Sequence, residues 1–274
     1  MESIRGYPVD DLKLMDVTLP YLPAGLFFGT KVKRLNILAS HLDNLYNTQS
    51  QDLSPFQGLE DSLEEINIIA TESADSWYWP DMKDFKRMKK VAFYSSPISF
   101  IGHQFAEIGG GSLEVLSVQK SKTYRLHPQG FTEMKNLREA DFEANEIPYL
   151  VRTMFPNPAP KLETLNFRFN KLFTLNENMF ENMPALKSLD LSYNMFKSFQ
   201  EVPFKPIWKR YFSLALEGNP FQCECNLVTL KEKFLNGSVP LTNDFDQVTC
   251  TYKGSDKKTE LIDVNGNDPR VCLW

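Results

Sequence analysis

The sequence predicts an α/β solenoid: a curved parallel β-sheet on the concave face, loops and short helical turns on the convex face, and a disulfide-bonded cap at the C-terminal end. Three observations carry this expectation. A pattern of apolar residues recurs every 23 to 25 residues, with one interval of 31, from Val9 to Tyr211, and a period that tight marks one supersecondary unit per repeat. Within each unit apolar positions alternate with a period of two, which places them on the buried face of a strand. All four cysteines, Cys223, Cys225, Cys250 and Cys272, fall after residue 222, and an even count in one short segment reads as a disulfide framework.

Aligned on L-x-x-L-x-L-x-x-N-x-L, the units begin at Val9, Val32, Leu63, Met88, Leu113, Leu137, Leu162, Leu186 and Tyr211. This divides the chain into an N-terminal edge (1–8), the repeats (9–218) and the cap (219–274). The clearest units are LETLNFRFNKLFTL from Leu162 and LKSLDLSYNMFKSF from Leu186. Each supplies one short strand, and stacking in parallel turns the apolar sides into a continuous core that no single repeat can form.

The ninth position reads Val17, Ser40, Thr71, Ser96, Ser121, Asn145, Asn170, Asn194 and Asn219. A polar side chain there satisfies backbone groups where the strand turns away, and Asn does so most fully. Val17 has no such group, so the first unit is expected to be degenerate. Phe27, Phe56, Phe105, Phe131, Phe155, Phe180 and Phe204 precede successive registers and are expected to stack as a structural filling of the convex side.

On these residues the chain resembles the extracellular leucine-rich-repeat proteins, from about Val9 to Trp274. Asn219-Pro220-Phe221-Gln222-Cys223-Glu224-Cys225-Asn226-Leu227, followed by Cys250 and Cys272, is similar to the cysteine-rich cap of Toll-like receptors and Slit-type proteins. The irregular early units with a single C-terminal cap also resemble the non-catalytic leucine-rich-repeat subunits of oplophorus-type luciferases. Four cysteines allow three pairings, and a Cys223–Cys225 bond would close a strained ring, which leaves two. The resemblance implies Cys223 with Cys250 and Cys225 with Cys272. Such a cap covers the open end of a growing sheet. The C-x-C spacing fits a zinc site less well than a disulfide cap.

The 274 residues are 42% hydrophobic and 24% charged, which excludes a disordered or collagenous chain. Net charge is −5, so there is no basic excess to hold a nucleic acid. No apolar run approaches the roughly 18 residues of a membrane span, and the first residues have no apolar stretch of a signal peptide. Disulfides imply an oxidising compartment, so the expectation is a secreted protein whose leader has been removed or a piece of a longer precursor. The front lacks the cysteine-bearing cap that the family usually carries, which implies truncation or an atypical start.

The 31-residue unit carries extra polar residues at Asn44–Leu53, expected as a surface loop. Trp77-Tyr78-Trp79-Pro80 cannot send all three rings inward, so one is expected exposed as an anchor or packed on that loop. Asn236-Gly237-Ser238 is the sole N-x-[ST] sequon and marks Asn236 for glycosylation.

Catalysis is not expected. His41, His103 and His127 fall in separate units, read as far apart, without metal or triad spacing. Gly109-Gly110-Gly111 reads as a flexible connection, not a phosphate loop. Asp141 and Glu143 share a strand face, with nothing in the sequence that forces one pKa upward. No cofactor or metal is implied. The concave face offers surfaces instead, from outward positions five, seven and eight. Asn36, Leu38, Ala39, Asn67, Ile69, Ala70, Ala92, Tyr94 and Ser95 come first, with Leu38, Ile69 and Tyr94 as an apolar stripe. Asp141, Glu143, Asn166, Arg168, Phe169, Asp190, Ser192 and Tyr193 follow as an acidic and aromatic patch, the composition of interface anchors. The plainer alternative is that Phe169 and Tyr193 only stack on each other. The expected function is recognition of a protein partner through this face. The alternative is a non-catalytic stabilising subunit in a secreted hetero-oligomer, contacting through Trp77-Tyr78-Trp79 and the front edge.

Overall fold

A computed structural model of the chain describes residues 6–45, 47, 54–77, 82–208, 213–237, 245–268 and 270–272. Nine strands form one sheet in chain order: β1 (Pro8–Met15), β2 (Lys31–Leu38), β3 (Glu65–Ile69), β4 (Lys90–Tyr94), β5 (Val115–Gln119), β6 (Glu139–Asp141), β7 (Thr164–Asn166), β8 (Ser188–Asp190) and β9 (Ser213–Ala215). Every neighbouring pair is parallel. The register aligns Leu12, Leu35, Ile66, Val91, Leu116, Ala140, Leu165, Leu189 and Leu214 across the sheet. Apart from Leu12, half-buried on the edge strand, all of these are buried. Alternation with period two therefore builds the core, and the opposite side of the same strands becomes the concave surface.

The eighth position turns the chain off the sheet. It is left-handed in every unit, from Asp16 (φ 53°) through Ala39, Ala70, Ser95, Lys120, Ala144, Phe169 and Tyr193 to Gly218 (φ 70°). The corner needs the next residue to hold the backbone, and the ninth position does so across the repeat boundary. The Asn194 amide oxygen accepts from Leu172 N–H at 2.9 Å, and its Nδ2 donates to Phe167 O, Leu191 O and Ser192 O. Asn145, Asn170 and Asn219 repeat this arrangement. In the early units Ser40 Oγ accepts from Val17 N–H and Ser96 Oγ from Thr71 N–H. Val17 supplies no side-chain bond of its own, but its N–H is satisfied by the next unit.

In strands β6 to β8, each three residues long, an Asx side chain at position five accepts the N–H two residues on. Asp141 accepts from Glu143 N, Asn166 from Arg168 N and Asp190 from Ser192 N, a local bond that competes with strand continuation. On the rising edge, position two alternates in sign through Asp10, Lys33, Glu64, Lys89, Glu114, Arg138, Glu163 and Lys187. Ion pairs join Lys33–Asp10, Lys89–Glu64, Arg138–Glu114, Arg138–Glu163 and Lys187–Glu163.

The predicted convex phenylalanines are all buried, and three adjacent pairs, Phe27–Phe56, Phe131–Phe155 and Phe180–Phe204, have ring centroids 5.5 to 5.9 Å apart. Short 3₁₀ turns such as Arg152–Met154 and Val202–Phe204 occupy that side. Gly109-Gly110-Gly111 ends a 3₁₀ segment, His103–Gly111. This corrects the flexible connection read from the sequence: a Cβ on left-handed Gly109 would stand 3.1 Å from Met88 Cβ, so the run is a close-packed turn.

The cap holds β10 (Phe221–Gln222), α1 (Cys225–Leu235), β11 (Thr249–Thr251) and β12 (Lys258–Glu260). Disulfides join Cys223 to Cys250 and Cys225 to Cys272. Helix α1 buries Leu227, Val228 and Leu230, and the strands pair as β10–β11–β12 behind the last repeat.

Candidate functional site

Position eight puts two bulky rings where the backbone is left-handed. Phe169 (φ 54°) and Tyr193 (φ 53°) occupy a conformation that costs a non-glycine residue about 1–2 kcal/mol, yet both rings stay exposed, at 44% and 39%. They stack with centroids 4.4 Å apart and planes at 27°. The Arg168 guanidinium lies 4.8 Å from the Phe169 ring centroid and 4.4 Å from that of Tyr193. Tyr193 in turn lies against Gly218, where a Cβ would meet its Cδ1 at 2.5 Å, so only glycine leaves room for the ring. The rings stack as the plainer alternative supposed, and they also form an exposed step at the edge of the concave face.

Arg168 is held from the sheet side. Its Nη1 donates to Glu217 Oε1 at 2.7 Å and to Ser192 Oγ at 2.8 Å, with Asp190 at 4.0 Å. Glu217 is 7% exposed, and its Oε2 has no hydrogen-bond partner among the described residues. Strand β6 and the residues after it carry Glu139, Asp141 and Glu143 on the outward face, all half-buried. Asp141 accepts from Gln119 Nε2 at 2.6 Å and from Glu143 N–H at 3.0 Å. Burial pushes the Asp141 carboxyl above its ordinary range, and the Glu143 and Glu139 charges add to the rise against those two bonds. This overturns the sequence reading that nothing raises a pKa here: the carboxyl sits low between strands, where water is partly excluded.

The first patch is also brought together. Sheet pairing sets Leu38 beside Ile69 and Ile69 beside Tyr94, and Met15, 58% exposed, extends the stripe at its open end. Leu38 and Ile69 are half-buried and Tyr94 is exposed, its hydroxyl accepting from Lys120 Nζ at 2.7 Å. Asn36, read as outward, is buried because it donates to Asp11 and accepts from Asn67 in a ladder of side chains.

Two expectations about other groups change. His103 and His127 are not far apart: one repeat separates them, and their rings meet edge-to-face at 5.7 Å. Among the described residues no group of three His, Cys, Asp or Glu could hold a metal ion. Trp77 is buried, donating from Nε1 to Leu42 O at 2.8 Å, so this ring anchors the core, while Tyr78, Trp79 and most of Asn44–Leu53 lie outside the described residues. Asn236 is exposed at the end of α1, and Ser238 of its sequon lies outside them.

Sequence reasoning missed Glu139, Glu217 and Gly218. Position three shares the outward face with five and seven, which would have found Glu139. Glu217 and Gly218 are positions seven and eight of the ninth unit, where the same rule applies.

A family profile described as Leucine rich repeat matches residues 150–196 and 160–207. Toll-like receptor 9 of Mus musculus is 24% identical over 162 residues, 59% of this chain and 15% of that receptor. The chain therefore aligns with a small part of that relative's length.

Proposed function

We propose that this chain, a leucine-rich-repeat solenoid closed by a disulfide-bonded cap, is a secreted recognition module that binds a protein partner through the concave face of its sixth to ninth units. Its mechanism is anchor and shape complementarity, with no chemical step and no cofactor. The observation that carries this reading is the Phe169–Tyr193 step: two stacked aromatic rings left exposed at the edge of the concave face and backed by the Arg168 guanidinium, the composition of an interface anchor. Repeat proteins of this kind generally mediate protein recognition, and paired disulfides are consistent with an extracellular or luminal location. Among the described residues no helix is long and apolar enough to cross a membrane.

Site-specific photocrosslinking in the native extracellular fluid tests it. A crosslinker at Ser188, half-buried on the outward face of β8, should trap a discrete partner, whereas one at Lys83, exposed before the fourth strand, should not. Trapping only at Lys83 would contradict the reading and favour a stabilising subunit docked elsewhere.

A further inference from the structure

We propose that the partner presents an extended segment with arginine or lysine side chains beside an apolar or aromatic one, laid across units six to nine; this rests on the concave-face reading above. The charges on this face are unbalanced. On the rising edge the acids at position two each pair with a base, but Glu139, Asp141 and Glu143 make no ion pair with any described residue. Of the nearby cations, Arg168 is paired with Glu217 and bonded to Ser192, while Lys120 is held on the Tyr94 hydroxyl and attracts Glu143 without closing an ion pair to it, so one partly offsetting charge faces three acids. Glu217 adds a carboxylate oxygen with no partner among the described residues, in a side chain that is 9% exposed.

Three like charges on one face repel each other, and that cost is relieved by an arriving cation. A side-chain cation fits better than a bare metal ion, since no described cluster has metal-holding geometry. Strands lie about 4.8 Å apart, so the row on β6 and Glu217 after β9 are separated by roughly 14 Å, about four extended residues. A segment of that length can place a guanidinium over the acidic row and an apolar group on the Phe169–Tyr193 step.

The test uses the full oxidised chain and two labelled peptides, Arg-Gly-Arg-Trp-Arg-Gly and Glu-Gly-Glu-Trp-Glu-Gly, followed by fluorescence anisotropy at low and physiological ionic strength. The arginine peptide should bind, more weakly at higher salt, and the glutamate peptide should not. Combined Glu139→Gln, Asp141→Asn and Glu143→Gln should weaken binding about tenfold, as should Phe169→Ala with Tyr193→Ala. Gln119→Lys, which supplies a cation beside Asp141, should weaken it too and guards against a folding artefact in the triple variant. Equal binding of both peptides, or arginine-peptide binding that any of these variants leaves unchanged, overturns the proposal. If the photocrosslinked native partner depends on Phe169 and Tyr193 but not on the acidic row, this inference fails while the concave-face reading stands. Indifference to both sets of changes sinks that reading itself.

Discussion

Arg168 reaches over the intervening repeat to Glu217, two units away in sequence, with Nη1 2.7 Å from Oε1. The guanidinium thereby ties the seventh unit to the ninth beneath the Phe169–Tyr193 stack. A partly buried pair of this kind adds less stability than it adds definition, because desolvation offsets much of the attraction. Its consequence is a rigid underside for two exposed rings, and rigid aromatic anchors lose little entropy on binding.

The asparagine column should be the main determinant of stability in the C-terminal half. Asn194→Ala strands Leu172 N–H and removes one of the two amide donors at Phe167 O and Leu191 O, which keep those of Asn170 and Asn219. A loss of about 2–3 kcal/mol in urea unfolding is expected, since the one buried orphan costs about 1–3 kcal/mol and three further hydrogen bonds are lost with it. Ser40→Ala removes fewer bonds and should cost about 1 kcal/mol. Equal costs at the two positions would contradict this account of the corner.

Asp141 should make stability depend on pH. Its folded pKa is raised by burial and then by Glu143 and Glu139, so the group favours folding most below its unfolded pKa. That contribution is lost as pH rises through the folded value. Asp141→Asn cannot ionise, so its melting temperature should gain on the parent's across the carboxylate range and level off above it. A difference that is constant with pH, or that shrinks as pH rises, would show that the carboxyl is not destabilised by folding.

Removing one cap disulfide should loosen the end of the solenoid. Cys223→Ser with Cys250→Ser opens a loop of 27 residues, for which the chain-entropy relation gives about 3–4 kcal/mol. The yield of folded protein and the melting temperature should both fall. An unchanged melting temperature would mean that the cap does not close the repeat core.

Much of this was legible in the sequence because the repeat restates itself. Leu162, Leu165 and Phe167 occupy the same places as Leu186, Leu189 and Leu191, so period and alternation set the strand register, and the asparagines marked the corner. Left-handed geometry at position eight was not legible, since Ala39, Lys120 and Tyr193 share no side-chain property; a backbone demand is invisible where glycine appears only once, at Gly218. The alternating edge from Asp10 to Lys187 was written in the sequence, but it appears only when residues about 24 apart are compared column by column. Asp141's raised pKa and the approach of His103 to His127 depend on how closely neighbouring turns sit, which spacing along the chain does not express.

The central claim is tested most directly by the affinity of the captured partner for Phe169→Ala with Tyr193→Ala, measured beside the parent chain by calorimetry. Both rings are exposed and their stack contributes only about 0.5–1.5 kcal/mol to the fold, so the variant should melt close to the parent. Loss of two anchors should weaken binding by about 2 kcal/mol or more, roughly 30-fold. Unchanged affinity in a folded variant would contradict the account and move the docking surface off the concave face.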